Sequence, residues 1–172
     1  MDRDMDERTT RSGFTFHVRT ATDIDDPLLA DFFAHVSEDD LRFRFLSAMP
    51  HVSEAQLRAM THVDHRHTES FVAFTQDGSL LVATAMLACD PALAHAEVAI
   101  AIRADHKARG IGWELLHYIA GVAAARGIQT IESLESRANH AAIEVEQDSG
   151  FRMESVPDDP TVVRVVKTLS PA

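Results

Sequence analysis

The residues with the strongest chemical signature lie between Glu97 and Gly112. An apolar run of β character passes there through Lys107-Ala108-Arg109-Gly110-Ile111-Gly112 into a helix. A chain that leaves a strand and enters a helix through glycines turns unpaired backbone N–H groups toward one spot, and the helix dipole adds about half a positive charge there. Gly110 and Gly112 have no Cβ to hold an anion away, and Arg103, Lys107 and Arg109 set three cations against the single Asp105. The arrangement suits a phosphate or pyrophosphate. At the other end of the same strand, Glu97 heads the apolar run Val98 to Ile102 and is a candidate general base.

The type of phosphate is narrowed by spacing. No Gly-x-x-x-x-Gly-Lys-Ser/Thr run occurs, so magnesium nucleotide chemistry has no anchor. A dinucleotide fingerprint wants a third glycine at position 115, which is Leu115, although Glu132 lies at a suitable distance for a ribose contact. His62, His65 and His67 with Asp64 and Glu69 invite a metal reading. Their spacing does not bring the three imidazoles to one face of a helix or a strand, so we expect a solvated loop and no metal. Cys89 is the single cysteine, which excludes an intrachain disulfide and suits a small buried hydrophobe.

Lys107-Ala108-Arg109-Gly110-Ile111-Gly112 resembles the Arg/Gln-x-x-Gly-x-Gly/Ala signature of the GNAT superfamily of acyl-CoA-dependent N-acyltransferases, with lysine at its first position. Downstream, Asn139-His140-Ala141-Ala142-Ile143, Glu146 and Ser149-Gly150-Phe151 are similar to that superfamily's Asn-x-x-Ala-x-x-x-Tyr-x-x-x-Gly-Phe stretch, with glutamate where tyrosine is usual. Asp40 to Leu46, and Thr61-His62-Val63-Asp64 leading into Phe71 to Phe74, resemble runs of the bacterial Pat-type protein-lysine acetyltransferases. The resemblance implies a cradle for the acetyl-CoA pyrophosphate at Lys107, Ala108, Arg109, Gly110, Ile111, Gly112 and Trp113. It also implies pairing of the pantetheine arm along Ile100, Ala101 and Ile102, and a cofactor contact from Asn139, which is equally suited to be a helix N-cap. It implies direct attack of a primary amine on the thioester in a ternary complex, with Glu97 as base. The acceptor implied is a protein lysine, the alternatives being a small polyamine-like amine or a non-catalytic acyl-CoA-binding module. Glu146 weakens the catalytic reading at this stage, because a glutamate replaces the donor tyrosine only when it is protonated.

The elements that must position these residues are legible from periodicity and punctuation. Trp113 to Arg126 has the 3.6-residue apolar spacing of a helix, with Glu114 in its first turn and Gly127 after its end. Phe14 to Arg19 reads as a strand, Asp25-Asp26-Pro27 opens a helix to about His35, and Ser37 and Ser53 cap two more. The cluster Phe32, Phe33, Phe43 and Phe45 reads as core. Ser70 to Thr75 and Leu80 to Leu87 form a hairpin on Asp77-Gly78, and the Glu97 strand follows. Gln129 to Leu134 is a strand, Asn139 to Ser149 a helix and Thr161 to Thr168 a last strand. One strand-helix-strand unit among antiparallel strands predicts an α/β class with a mixed sheet, the GNAT kind, with a central parallel crossover rather than a doubly wound fold. Residues 1 to 13, charged and without periodicity, read as a mobile tail ahead of one domain over residues 14 to 172.

The whole chain bounds the partners. With 172 residues, 45% of them hydrophobic, it can build a sizeable single core, and no apolar run approaches the ~20 residues of a membrane span. The charged start has no apolar block behind it, so a cytoplasmic protein is expected. A net charge of −11, spread over both halves, disfavours nucleic acid and suits a cationic amine. Oligomeric state leaves no mark on the sequence.

Overall fold

The computed structural model describes residues 5–47 and 51–170. Eight strands form one sheet: β1 (Asp6–Thr9), β2 (Thr15–Thr20), β3 (Thr68–Thr75), β4 (Leu81–Cys89), β5 (His95–Ile102), β6 (Thr130–Ser136), β7 (Arg152–Ser155) and β8 (Val162–Thr168). Five helices accompany them: α1 (Asp26–Ala34), α2 (Glu38–Phe45), α3 (Glu54–Thr61), α4 (Ile111–Ala125) and α5 (His140–Asp148). The strand order is β1-β2-β3-β4-β5-β6-β8-β7, antiparallel throughout except for the β5/β6 pair, which α4 joins as a parallel crossover. The mixed sheet expected from the sequence is therefore observed.

The sheet is covered on both faces. Phe16, Phe71, Val98 and Ile131 pack against Leu115, Leu116, Ile119 and Ala123 of α4 on one side. On the other, Val72, Phe74, Leu81 and Ala101 meet Leu29, Phe32, Phe33, Leu41, Leu57 and Met60 of α1 to α3. Alternating side chains of one strand thus serve two cores, which is why β3 and β4 read as continuous apolar runs rather than as alternation.

Helix ends are set by local chemistry. Ser37 and Ser53 accept from the N–H groups of Asp40 and Gln56, as N-caps should. Helices α4 and α5 both stop in the same way. Gly127 and Gly150 take φ of 80° and 91°, Ile128 and Phe151 return N–H bonds to Ala123 and Glu146, and both of these following residues are buried. The Ser149-Gly150-Phe151 stretch is therefore a helix stop that fixes where α5, and with it Glu146, lies on the sheet.

Two strands escape the sequence reading. The tail assigned to residues 1–13 contains β1, which pairs with β2 and rests on α4: Arg8 binds Glu114 at 2.8 Å, and the Tyr118 hydroxyl donates to Asp6 at 2.7 Å. Its charged side chains hide it from a hydropathy pattern, but an edge strand is held by backbone bonds and is blunted by charge. Met1 to Asp4 of that assignment, and the last two residues, lie outside the described residues. Strand β7 is short and mostly exposed, and it pairs only with β8.

Candidate active site

Strands β5 and β6 lie side by side only at His95/Thr130, Ala96/Ile131 and Glu97/Glu132, although both continue further. Beyond Glu97 they splay, and the Ser133 hydroxyl, bound to the Val98 carbonyl at 2.6 Å, is the last bridge across. The β6-facing edge of β5 from Ala99 to Ile102 has no strand partner, so it is open to pair an extended ligand. A cavity of about 430 Å³ fills the gap.

Of the residues singled out from the sequence, Glu97, Ile100, Ala101, Ile102, Lys107, Ala108, Gly110, Ile111, Gly112, Trp113 and Asn139 all line this cavity. Arg109 does not. Its guanidinium lies over the Phe14 ring, 5.5 Å from the centroid, and its carbonyl accepts from the Ser12 hydroxyl at 2.7 Å. The three-cation reading of the turn is corrected in the same way: Lys107 pairs with Asp40 at 2.6 Å and Arg103 with Asp105 at 3.0 Å. Two of the three charges are matched, which leaves backbone groups as the main anion donors. The first intrahelical bond of α4 is Glu114 N–H to Gly110 carbonyl, so the N–H groups of Ile111, Gly112 and Trp113 have no partner within the helix.

Both glycines of the turn stand where a Cβ would crowd a neighbouring side chain. Gly110 has φ 86°, and a Cβ there would stand 3.2 Å from the Thr10 Cβ. At Gly112 a Cβ would meet the Ile102 side chain at 3.2 Å, so a side chain at this position would enter the cavity wall. Asn139 caps α5 by accepting from Ala142 N–H at 3.4 Å and donates to Glu135 at 3.4 Å. Its capping role is thus present.

The face of the sheet divides the site. Glu97 pairs in register with Glu132, on the face opposite α4, where it is exposed beside Arg44 of α2. Burial pushes the Arg44 guanidinium down, and the nearby Glu97 charge opposes that. Phe43 and Leu46 line this end of the cavity, so Phe43 belongs to the site and not to the core, whereas Phe45 packs against Phe33 as expected. On the α4 face lie Glu135 and Glu146. Glu146 is 5% exposed and lines the cavity, with its carboxyl group beside that of Glu135 and the Ser133 hydroxyl. Burial, and next the adjacent Glu135 charge, push it up to about 10, and burial raises Glu135 too. The sequence marks Glu146 only as an unexpected residue; what keeps it protonated is burial, which residue spacing cannot reveal.

The histidine loop is not part of this site. Asp64 accepts the N–H groups of Arg66, His67 and Thr68, and burying nothing, it holds a turn. Glu69 departs from the solvated-loop expectation. It is buried at the start of β3, bound by Arg126 at 3.0 Å and His65 at 2.7 Å. Among the described residues no three metal-ligating side chains are grouped to hold an ion. Nor is any helix among them long and apolar enough to cross a membrane.

Comparison with known proteins agrees with this geometry. A sequence model of the Acetyltransferase (GNAT) family matches residues 31–151. The chain is 29% identical over 134 residues to the acetyltransferase PA5475 of Pseudomonas aeruginosa, covering 77% of this chain and 72% of that one. The crystal structure of the GNAT domain of S. lividans PAT superposes with a TM-score of 0.88 at 28% identity, covering 96% and 97% of the two chains. A spermidine N-acetyltransferase from Vibrio cholerae, solved with CoA and spermine, shares the fold at a TM-score of 0.72 and 16% identity, over 89% of this chain and 95% of that one. The matched stretch holds the glycine turn, both faces of the cavity and Glu146, and the chain belongs to the GNAT acetyltransferase family as an acyltransferase.

Proposed function

We infer that the protein transfers an acetyl group from acetyl-CoA to a primary amine, by direct attack, and that the amine is a protein lysine. The observation that carries this is the splay of β5 from β6, with the glycine cradle at Gly110 and Gly112 on the α4 side and Glu97 on the other, along one cavity. A donor entering from the cradle and an acceptor entering past Phe43 meet at the gap without a covalent enzyme intermediate. Holding the two together supplies about 7–11 kcal/mol of the barrier. A lysine ammonium with a pKa near ~10.4 costs about 4–5 kcal/mol to deprotonate at neutral pH, which is the task of Glu97.

The acceptor side favours one ammonium on an apolar stem. Phe43 and Leu46 suit the methylenes of lysine, while Arg44 opposes the second and third charges of a polyamine. The likeness to the S. lividans PAT domain across nearly the whole chain supports the same choice. The test is to supply acetyl-CoA with a pool of lysine-bearing proteins and, separately, spermidine, and to locate the label by mass spectrometry. Protein lysines are expected to carry the acetyl group in preference. Turnover of spermidine with no labelled protein would replace the acceptor and leave the acyl-donor assignment standing.

A further inference from the structure

Trp113 stands on the outward side of α4, turned away from the buried Leu115, Leu116 and Ile119, and both faces of its ring are taken. The His117 ring stacks on one at 3.7 Å between centroids, and the Arg11 guanidinium lies on the other, 3.8 Å from the centroid. No face is left for a purine to stack on, and the indole N–H meets no acceptor among the described residues. What the ring holds is a cation. That cation differs from those around it. Arg8 is bound to Glu114, Arg103 to Asp105 and Lys107 to Asp40, and the Arg109 guanidinium is turned onto Phe14. Arg11 is exposed and makes no ion pair with a described acid, in a chain whose net charge is −11. Its place is fixed before any ligand arrives. The turn between β1 and β2 closes through Thr10 N–H to the Phe14 carbonyl at 2.8 Å and Gly13 N–H to the Thr10 carbonyl at 3.0 Å, and the Ser12 hydroxyl ties it to the Arg109 carbonyl at 2.7 Å. A guanidinium stacked on a ring at the tip of a tied turn gives up little freedom on meeting an anion. Trp113 lines the cavity and is the third residue of α4, so Arg11 stands on the solvent side of the free N–H groups of Ile111, Gly112 and Trp113.

We propose that Arg11, held on Trp113, binds the phosphomonoester on the ribose of CoA, and so makes the protein prefer CoA to dephospho-CoA, which lacks that group. This rests on the acyl-CoA reading above. CoA carries its phosphates in two places. Each phosphate of the pyrophosphate has about one negative charge and meets the backbone donors of the glycine turn, whereas the ribose monoester carries about −1.5 to −2 at neutral pH and calls for a charged partner. An unpaired guanidinium outside the turn matches the monoester. Arg11 lies ahead of the stretch 31–151 that the family model matches, so this contact belongs to the hairpin of this chain and not to the signature motif.

Calorimetry with CoA and with dephospho-CoA at low salt tests this. Wild type is expected to bind CoA about 10-fold tighter than dephospho-CoA. Arg11→Gln is expected to shrink that gap to about 2-fold by weakening CoA alone, and Trp113→Leu to shrink it similarly, because the cation loses the ring that holds it. Arg8→Gln removes the same charge from the same hairpin and is expected to keep the gap, since Arg8 is bound to Glu114. A gap unchanged in Arg11→Gln overturns the proposal. So does equal weakening of both compounds, which would put Arg11 on the pyrophosphate, or a gap that closes as far in Arg8→Gln, which would make the effect one of net charge. Wild type binding both compounds equally overturns the Arg11 assignment and leaves the acyl-donor reading standing, whereas wild type binding neither removes both.

Discussion

The Lys107 ammonium stands 2.6 Å from the Asp40 carboxylate, so the lysine of the glycine-turn motif is already half of an ion pair that ties α2 to the loop before α4. Its charge is largely matched before any anion arrives. Lys107→Ala is therefore expected to weaken CoA binding by no more than about 3-fold, in the range of a partly exposed pair. Asp40→Asn frees the lysine and is expected to tighten CoA by a similar factor, more at low salt than at high. Calorimetry at two ionic strengths reads both. A loss above about 30-fold in Lys107→Ala would make the side chain, and not the backbone, the main phosphate donor.

The two glycines of the cradle differ in what a substitution tests. Gly110 is in the left-handed region at φ 86°, so Gly110→Ala is expected to cost about 1 kcal/mol and lower Tm by about 2–4 °C before any ligand is added. Gly112 carries no such strain, and its Cβ would press only on the movable end of Ile102. Gly112→Asp, which sets a carboxylate among the free N–H groups of α4, is expected to lower CoA affinity at least ~30-fold with little change in Tm. Calorimetry and thermal melts on the two variants separate the effects.

Glu97→Gln keeps the shape of the side chain and removes its basicity. The expected result is unchanged acetyl-CoA affinity and a kcat lower by about 10²–10⁴ at neutral pH, with partial recovery at high pH as more amine arrives neutral. Glu69→Gln is the matched control. Glu69 is held by Arg126 and His65 away from the cavity, so its loss is expected to reduce stability and leave kcat at the wild-type value.

The Glu146 proton also links stability to pH. An acid whose folded pKa is raised to about 10 stabilises the fold fully below its unfolded value near ~4.3, and that contribution is lost as pH rises through the folded value. Wild type is therefore expected to lose stability progressively from about pH 5 to 10 relative to Glu146→Gln, which has no proton to lose. Urea midpoints of the two proteins across that range should converge at low pH and part at high pH, with the variant the more stable. Parallel curves would mean that Glu146 titrates alike in the folded and unfolded chain.

What the sequence yielded was what short-range geometry controls. The α4 crossover and its stop at Gly127 depend on residues within a few positions of one another, and the helix lies within one or two residues of its expected bounds. Contacts between distant segments were not legible. Lys107 and Asp40, Glu146 and Glu135, and Arg8 and Glu114 meet only because the sheet brings their elements together. Phe43 shows the limit of composition: it is as apolar as Phe45, two residues along the same helix and so on a different face, yet one lines the cavity and the other packs on Phe33. Burial, too, is a property of the fold, which is why a protonated glutamate could be asked for from the sequence but not found there.

The hairpin turn between β1 and β2 reaches the cradle itself. Thr10 lies against Gly110, the Ser12 hydroxyl holds the Arg109 carbonyl, and the Arg11 guanidinium sits 3.8 Å over the Trp113 ring. The family match starts at residue 31, so an expression fragment cut at that boundary would keep every residue of the signature motif and discard the segment that holds its loop in shape. Such a fragment would carry the right letters on an unsupported turn. For the same reason a purification handle is better joined at the far end of the chain, where β8 leaves the sheet, than beside a strand that lies on α4.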